Sequence, residues 1–167
     1  MSLKFHSLRD LLLQELRDLY SAENQLIKAL PKMQDAAFSP DLKESFAHHL
    51  KETRGHVSRL EQIFTNLGEK PKSETCEAME GLISEGEDYV KADTEEHIRD
   101  AALIAAAQKI EHYEIAGYGT ARTLASCLED TTSAQLLQET LNEEAKADKH
   151  LTEIAEAHIN TQAAHVH

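Results

Sequence analysis

Acidic side chains recur at positions where the helices of this chain would otherwise present apolar residues to a core. Burying an isolated carboxylate costs several kcal/mol, so such groups are normally paired or bound to metal. Iron and manganese in oxygen-rich sites prefer carboxylates together with one or two imidazoles. The sequence therefore predicts a site for two iron or manganese ions, with the candidate ligands Glu23, His49, Glu52, His56, Glu111, Glu114, Glu144 and Asp148.

Helical spacing brings some of these candidates together within one helix. Residues three or four positions apart share a helix face, so Glu52 and His56 can converge on one point. Glu111 and Glu114, three positions apart, also share a helix face and can converge. The usual di-iron pair is Glu-x-x-His, and the chain departs from it: the second helix offers a Glu-x-x-x-His pair, and the fourth has Glu144 followed by Asp148.

The predicted roles of these ligands follow from the lengths of their side chains and from their positions along the helices. Carboxylates that bridge two cations offset their mutual repulsion, and Glu52 and Glu144 are the expected bridges. Glu23 and one of Glu111 or Glu114 would cap the metals, and His56 would complete one site. Asp148 is the least suited ligand, because its side chain is short. The sequence identifies no catalytic residue.

Spacing alone leaves three alternatives open. Glu143 and Glu144 are adjacent, so only one of them can point fully inward. His49 could face the site, lie behind it, or lie at the surface. His56 could be a ligand or a hydrogen-bonded core histidine.

Hydrophobic periodicity predicts the helices that must position these groups. Ser39-Pro40 is typical of a helix start, and Gly68 of a helix end. Four long helices are predicted at residues 7–35, 40–67, 95–128 and 132–159, with a shorter helix at 75–90.

Short connections within each pair of long helices require antiparallel hairpins. Two hairpins joined by one long crossover give an all-α, ferritin-like four-helix bundle with an extra short helix in the crossover. Glu23 precedes Glu52 by 29 residues and Glu114 precedes Glu144 by 30, so the acids should meet at one level. Residues 1–167 are interpreted as a single domain, with a core at about 7–159 and a frayed tail at 160–167.

Composition excludes several function classes. Among 167 residues, 17 Lys and Arg face 30 Asp and Glu, and the net charge of −13 disfavours nucleic acid and anionic membrane as partners. Two cysteines, with no signal peptide and no long apolar run, favour a cytoplasmic protein. No phosphate loop, Cys-x-x-Cys pair or serine-nucleophile elbow is present.

Four segments resemble a known family. They are DLYSAENQL at 18–26, HLKETRGH at 49–56, RDAALIAAAQKIEHYEIAGYGT at 99–120 and ETLNEEAKAD at 139–148. Together they resemble the bacterial YciE/YciF-like stress proteins of the ferritin-like superfamily. The resemblance extends over nearly the whole chain, from about Ser7 to Ile159.

This resemblance implies a ferritin-like bundle with an extra helix, often dimeric, with a poorly defined metal site. Members are associated with stress responses, and no agreed biochemical activity attaches to them. Many relatives have Gln where this chain has His56. The family pattern carries onto Glu23, His49, Glu52, Glu111, Glu114 and Glu144.

Two hypotheses of different classes follow. In the first, the protein is a stress-associated homodimer that binds two iron or manganese ions and acts on peroxide or oxygen. In the second, it is a metal-free helical dimer with a structural or interaction role, whose buried acids are held by hydrogen bonds and raised pKa values.

Overall fold

The structure, a computed structural model, describes residues 4–166, and every regular element in that range is helical. The all-helical prediction is therefore confirmed for this part of the chain. The elements are α1 (Leu8–Ala36), α2 (Pro40–Asn66), α3 (Glu77–Lys91), α4 (Glu96–Cys127), α5 (Thr131–Ile154), a π-helical turn (Ala155–Ile159) and α6 (Asn160–Ala164).

Local sequence explains where these helices begin and end. The Ser7 hydroxyl accepts a hydrogen bond from the Asp10 amide at 3.1 Å, which caps the start of α1. Asp130 caps α5 in the same way by accepting from the Ser133 amide at 3.0 Å. Gly68, just after α2, has a φ of 71°, the left-handed conformation that ends many helices.

The helix pairs follow from short connections. Residues 37–39 join α1 to α2, and residues 128–130 join α4 to α5. Each pair packs along its length. In addition, α1 packs against α4 and α2 packs against α5, so the four long helices contact one another in a closed ring. Helix α3 lies in the connection between α2 and α4 and packs on α1 and α4.

The end of the chain differs from the expectation of one helix to residue 159 followed by a frayed tail. Helix α5 ends at Ile154, and a single π-helical turn follows it. The described chain then continues as α6 to Ala164. The buried side chains of Ala155 and Ile159 hold the π-helical turn against the core.

Two apolar clusters fill the interior, and buried acids or histidines lie between them in the sequence of every long helix. One cluster contains Leu26, Phe46, Ile110 and Leu151. The other contains Leu19, Leu60, Tyr118 and Leu137. Between these anchors α1 carries Glu23, α2 carries His49 and His56, α4 carries Glu111 and Glu114, and α5 carries Glu144.

A further buried acid ties α4 to the turn between α1 and α2. The two carboxylate oxygens of Asp100 accept hydrogen bonds from the amides of Phe38 and Ser39, each at 2.7 Å. Ser39 precedes α2, and its own side chain makes no capping bond. Asp100 therefore supplies, from another helix, the acceptor that the start of α2 lacks.

Two glycines of α4 flank Tyr118, and only one of them is needed for close packing. A methyl group at Gly117 would lie 2.9 Å from Leu19 Cδ2, closer than normal contact. A methyl group at Gly119 would meet nothing within 4 Å. α4 therefore packs closely on α1 at Gly117.

These two glycines provide a matched test of the packing. Gly119→Ala should stabilise the protein by up to about 1 kcal/mol, because alanine favours helix over glycine. Gly117→Ala should instead destabilise it by about 1 kcal/mol, because overpacking at Leu19 outweighs the same gain. Urea unfolding of both variants measures the difference; equal effects would contradict the close approach.

Candidate metal centre

Six buried polar side chains from all four long helices meet at one level of the interior. Each is at most 6 % exposed. They form two groups in which one ligand atom from each member lies within 4.8 Å of the others. The members are Glu23, His49, His56, Glu111, Glu114 and Glu144.

The first group combines one imidazole with three carboxylates: His49, Glu111, Glu114 and Glu144. His49 Nε2 lies 3.3 Å from a Glu111 oxygen and 3.8 Å from a Glu144 oxygen. Carboxylates with a single imidazole suit ferrous or manganous ions.

The second group combines Glu23, His56 and Glu144. His56 Nδ1 lies 3.2 Å from a Glu23 oxygen and 3.0 Å from Glu144 Oε1. Glu144 belongs to both groups, and its other oxygen, Oε2, is the one that faces His49. One carboxylate thus presents one oxygen to each group, which is the arrangement a bridging ligand requires.

Most ligand atoms in these groups lack a hydrogen-bond partner within the described chain. Both oxygens of Glu114, both oxygens of Glu144 and both ring nitrogens of His49 are buried and unsatisfied. Buried polar atoms are almost always paired, so such a concentration requires an explanation. Bound cations would satisfy these atoms together, and the donor set therefore fits a pair of metal ions.

The charges at the centre lead to the same interpretation. The four carboxylates carry a charge of −4 when ionised, and two protonated histidines would offset only half of it. Two divalent cations beside neutral histidines would offset all of it. Burial raises the pKa of Glu23, and it raises those of Glu111 and Glu114 well above the usual range.

The two histidines hold protons strongly when no cation is present. Burial lowers the pKa of His56, but the carboxylates of Glu144 and Glu23, at 3.0 and 3.2 Å from Nδ1, outweigh burial and raise the pKa to about 11. Burial likewise opposes the charged form of His49, and the neighbouring carboxylates, led by Glu111, raise its pKa to about 9. In the absence of metal, protons would therefore provide part of the compensating charge.

Outer partners fix the orientation of His56. Its Nε2 lies 2.8 Å from Glu143 Oε2, and Glu143 receives two hydrogen bonds from the Arg59 guanidinium, at 2.6 and 2.8 Å. The Arg59 bonds lower the pKa of Glu143 and keep it ionised. A carboxylate that accepts the Nε2 proton leaves the Nδ1 lone pair directed at Glu23 and Glu144.

The buried Tyr118 stabilises the other side of this group. Its hydroxyl donates a hydrogen bond to Glu23 Oε1, and its ring packs edge-on against His56 at 6.2 Å. Two other tyrosines are bonded away from the centre: Tyr20 donates to Glu61, and Tyr113 donates to Asp18.

The structure places two candidate ligands outside both groups. The side chain of Glu52 is 20 % exposed, and its Oε2 lies 3.3 Å from His48 Nδ1 and 3.7 Å from His49 Nδ1. Asp148 accepts a hydrogen bond from Gln108 and lies 3.3 Å from His112 Nε2, between α4 and α5. Of the adjacent pair on α5, Glu144 points inward and Glu143 lies at the edge with Arg59.

The spacing of the buried residues along α2 and α5 distinguishes the side chains that face the centre from their neighbours Glu52 and Asp148. The buried face of α2 runs through His49, Thr53, His56 and Leu60, in steps of four and three. Thr53 is fully buried and occupies the place next to Glu52. The same steps on α5 pass through Glu144 and Leu151, with residue 147 rather than residue 148 between them.

The raised pKa values predict how stability depends on pH without metal. Below about pH 6.5 the stabilisation from protonated His49 and His56 is fully present. It is lost as the pH rises through about 9 and then about 11. The free energy of unfolding, measured with urea in chelator, should fall by on the order of 5 kcal/mol between pH 6.5 and 9, because both histidines keep a proton that the unfolded chain releases.

Two variants test whether His56 contributes to this dependence of the unfolding free energy on pH. His56→Gln should flatten it, whereas His6→Gln, at an exposed position, should leave it unchanged. The lowered pKa values of Glu52 and Glu143 act below about pH 4.5, outside this window. Stability that rises from pH 6.5 to 9 in the wild-type protein would contradict the interpretation.

None of the helices between residues 4 and 166 has the length and apolar character needed to cross a lipid bilayer. Both cysteines are free thiols, Cys76 buried and Cys127 exposed.

Known proteins share this chain's sequence and fold. It is 45 % identical over 160 residues to Protein YciF of Escherichia coli, covering 94 % of this chain and 95 % of YciF. The crystal structure of that stress protein superposes with a TM-score of 0.90 at 44 % identity, covering 93 % of this chain and 99 % of the other.

A second solved structure is that of YcfI of Rhodopseudomonas palustris, a proposed structural protein. It has a TM-score of 0.88 at 41 % identity, and the similarity covers 91 % of this chain and 97 % of YcfI. A two-domain protein of Anabaena variabilis that contains a ferritin-like domain shares the fold, with a TM-score of 0.62 at 16 % identity. That similarity covers 96 % of this chain and 39 % of the larger protein.

Residues 7–164 match the family defined as a domain of unknown function, DUF892. The chain, a homologue of the stress protein YciF, therefore belongs to the DUF892 family.

Proposed function

We propose that this protein is a ferritin-like di-metal carboxylate protein that binds two iron or manganese ions and handles peroxide or oxygen during stress. The observation that carries the proposal is the double role of Glu144, whose two oxygens face two separate groups of buried ligands. The ferritin-like assignment adds the expected architecture: two hairpins, with α3 in the crossover. Bound iron or manganese would supply reversible one-electron chemistry and open coordination positions.

The chain's own residues prepare such a site in several ways. Glu144 would be the ligand shared by the two ions, with Glu23 in one ligand group and Glu114 in the other. Arg59 and Glu143 hold the His56 ring so that Nδ1 faces the metal position. The apolar clusters above and below exclude water, which strengthens each electrostatic contact at the centre.

Metal content tests the proposal directly. Full-length protein without a tag, loaded anaerobically with ferrous or manganous ion and then desalted, should retain close to two metal ions per chain by elemental mass spectrometry. Glu144→Gln should retain less than half as much, because both groups lose the same ligand. Glu80→Gln, at an exposed position on α3, should match the wild type.

The same preparations test the reaction. Metal-loaded wild-type protein should consume hydrogen peroxide faster than free metal at the same concentration, and Glu144→Gln should not. Wild-type protein that retains no metal after anaerobic loading would overturn the proposal. Retention of two ions in Glu144→Gln would overturn the bridging role alone.

Weakening the contacts that orient His56 should lower the metal affinity without abolishing it. Glu143→Gln keeps the shape of the side chain but weakens the acceptor for His56 Nε2 and the pair with Arg59. Metal affinity should fall about 10-fold to 100-fold, as is typical when the partner of a ligand histidine is altered. Competition with a coloured chelator measures this; Glu139→Gln is the control, because Glu139 contacts Arg59 at 3.6 Å but not the centre. An unchanged affinity in Glu143→Gln would show that this partner does not matter.

A second candidate function is a metal-free helical dimer with a structural role. It is favoured by the compact contacts of His56 with Glu23 and Glu144, which protons alone could stabilise, and by the role proposed for YcfI. Thermal unfolding separates the two candidates. A metalloprotein should lose many degrees of Tm when stripped with chelator at neutral pH, because binding energy adds to folding energy, whereas a scaffold should not change.

A further inference from the structure

A groove between α2 and α5 leads from solvent to the buried centre. Its volume is about 570 Å³. Four carboxylates and only one ammonium group line it, together with four histidines. The charged and imidazole groups are Asp41, Glu44, Glu52, Glu153, Lys146, His48, His49, His150 and His158.

The inner wall of this groove is His49, which is also a member of the first ligand group. The side chain is 7 % exposed, and neither ring nitrogen has a hydrogen-bond partner within the described chain. Nδ1 faces Glu52 in the groove at 3.7 Å, and Nε2 faces Glu111 in the interior at 3.3 Å. One unpartnered imidazole therefore spans the boundary between the groove and the centre.

A small internal cavity continues the path behind this wall. Its volume of about 10 Å³ is close to that needed for one water molecule. Ser45, His49 and Ala147 line both this cavity and the groove, and Glu111 lines only the cavity. Apart from Ser45, His49 and Glu111, the residues that line this cavity are apolar.

At the inner end of the groove, Glu52 has the features of a first binding position for a cation. Its Oε2 is approached by His48 Nδ1 at 3.3 Å as well as by His49. Glu52 lies outside both close-packed ligand groups, which suits passage better than residence.

We propose that the α2–α5 groove is the route by which divalent cations reach the metal centre, and that Glu52 with His48 is where they first bind. This inference rests on the proposed function, since it requires a centre that takes up metal. The acidic lining raises the local concentration of cations, Glu52 and His48 replace part of the hydration shell, and rotation of the His49 ring opens the way to Glu111.

Rates of cobalt uptake test the charge of the route. Full-length metal-free protein is mixed with Co²⁺ in a stopped-flow instrument, and the visible absorption of bound cobalt is followed. Glu52→Gln should lower the uptake rate about 10-fold or more, while the final number of cobalt ions per chain stays at the wild-type value. Glu80→Gln removes the same charge outside the groove and should leave the rate unchanged.

Two alanine-to-phenylalanine substitutions test the path without altering its charge. Ala147→Phe places a large ring where the groove meets the inner cavity and should slow uptake by a similar factor. Ala145→Phe makes the same change two residues away, at an exposed position outside the groove, and should not slow it. Circular dichroism of both variants establishes that each is folded before rates are compared.

The possible results separate the route from the metal centre itself. Uptake by Glu52→Gln at the wild-type rate, or equal rates for the two Phe variants, would overturn the groove as the route and leave the proposed function intact. A lower final cobalt content in Glu52→Gln would make Glu52 a resident ligand and overturn its role as a first binding position. Failure of the wild-type protein to bind cobalt would overturn both proposals.

Discussion

Placing four carboxylates and two imidazoles in one layer of a dry interior is the constraint on which the rest of this structure depends. The centre must contain cations or protons, because ionised carboxylates cannot remain uncompensated at such depth. The layer occurs at the same height in all four long helices, and each helix continues into an apolar cluster on either side. Packing above and below fixes the register that brings the ligands together.

Different side chains around this layer orient and stabilise its charged groups. On one side Arg59 and Glu143 form a charged pair at the surface that reaches inward through His56. Opposite, Tyr118 donates to Glu23 from within the apolar cluster. Near His49 the layer approaches an open, acidic groove. The centre is therefore closed by hydrogen-bonded side chains where His56 lies and accessible where His49 lies.

Much of this arrangement could be predicted from the sequence, because it depends on local periodicity. The four long helices and the inward direction of Glu23, Glu111 and Glu114 follow from apolar residues at helical spacing. The choice between neighbours did not follow, because it depends on a rotation of less than one residue about the helix axis. Thr53 fills the buried place beside Glu52, and its hydroxyl donates a hydrogen bond to the His49 carbonyl within the same helix.

Other features depend on contacts between distant segments and leave little trace in the sequence. The pairing of Glu143 with Arg59 requires the register of α2 against α5. The π-helical turn after α5 is set by how Ala155 and Ile159 pack on the core. Glu129, in the α4–α5 connection, adopts a positive φ of 59°, which a sequence with no glycine there does not indicate.

The contact of Asp100 with the α1–α2 turn has a consequence for the order of folding. The carboxylate and the two amides it accepts from are separated by 61 and 62 residues, so the pair forms only after α4 reaches the first hairpin. Until then the start of α2 lacks an acceptor and should fray. The first hairpin therefore gains its complete turn only together with α4, and the two halves of the chain should fold as one cooperative unit.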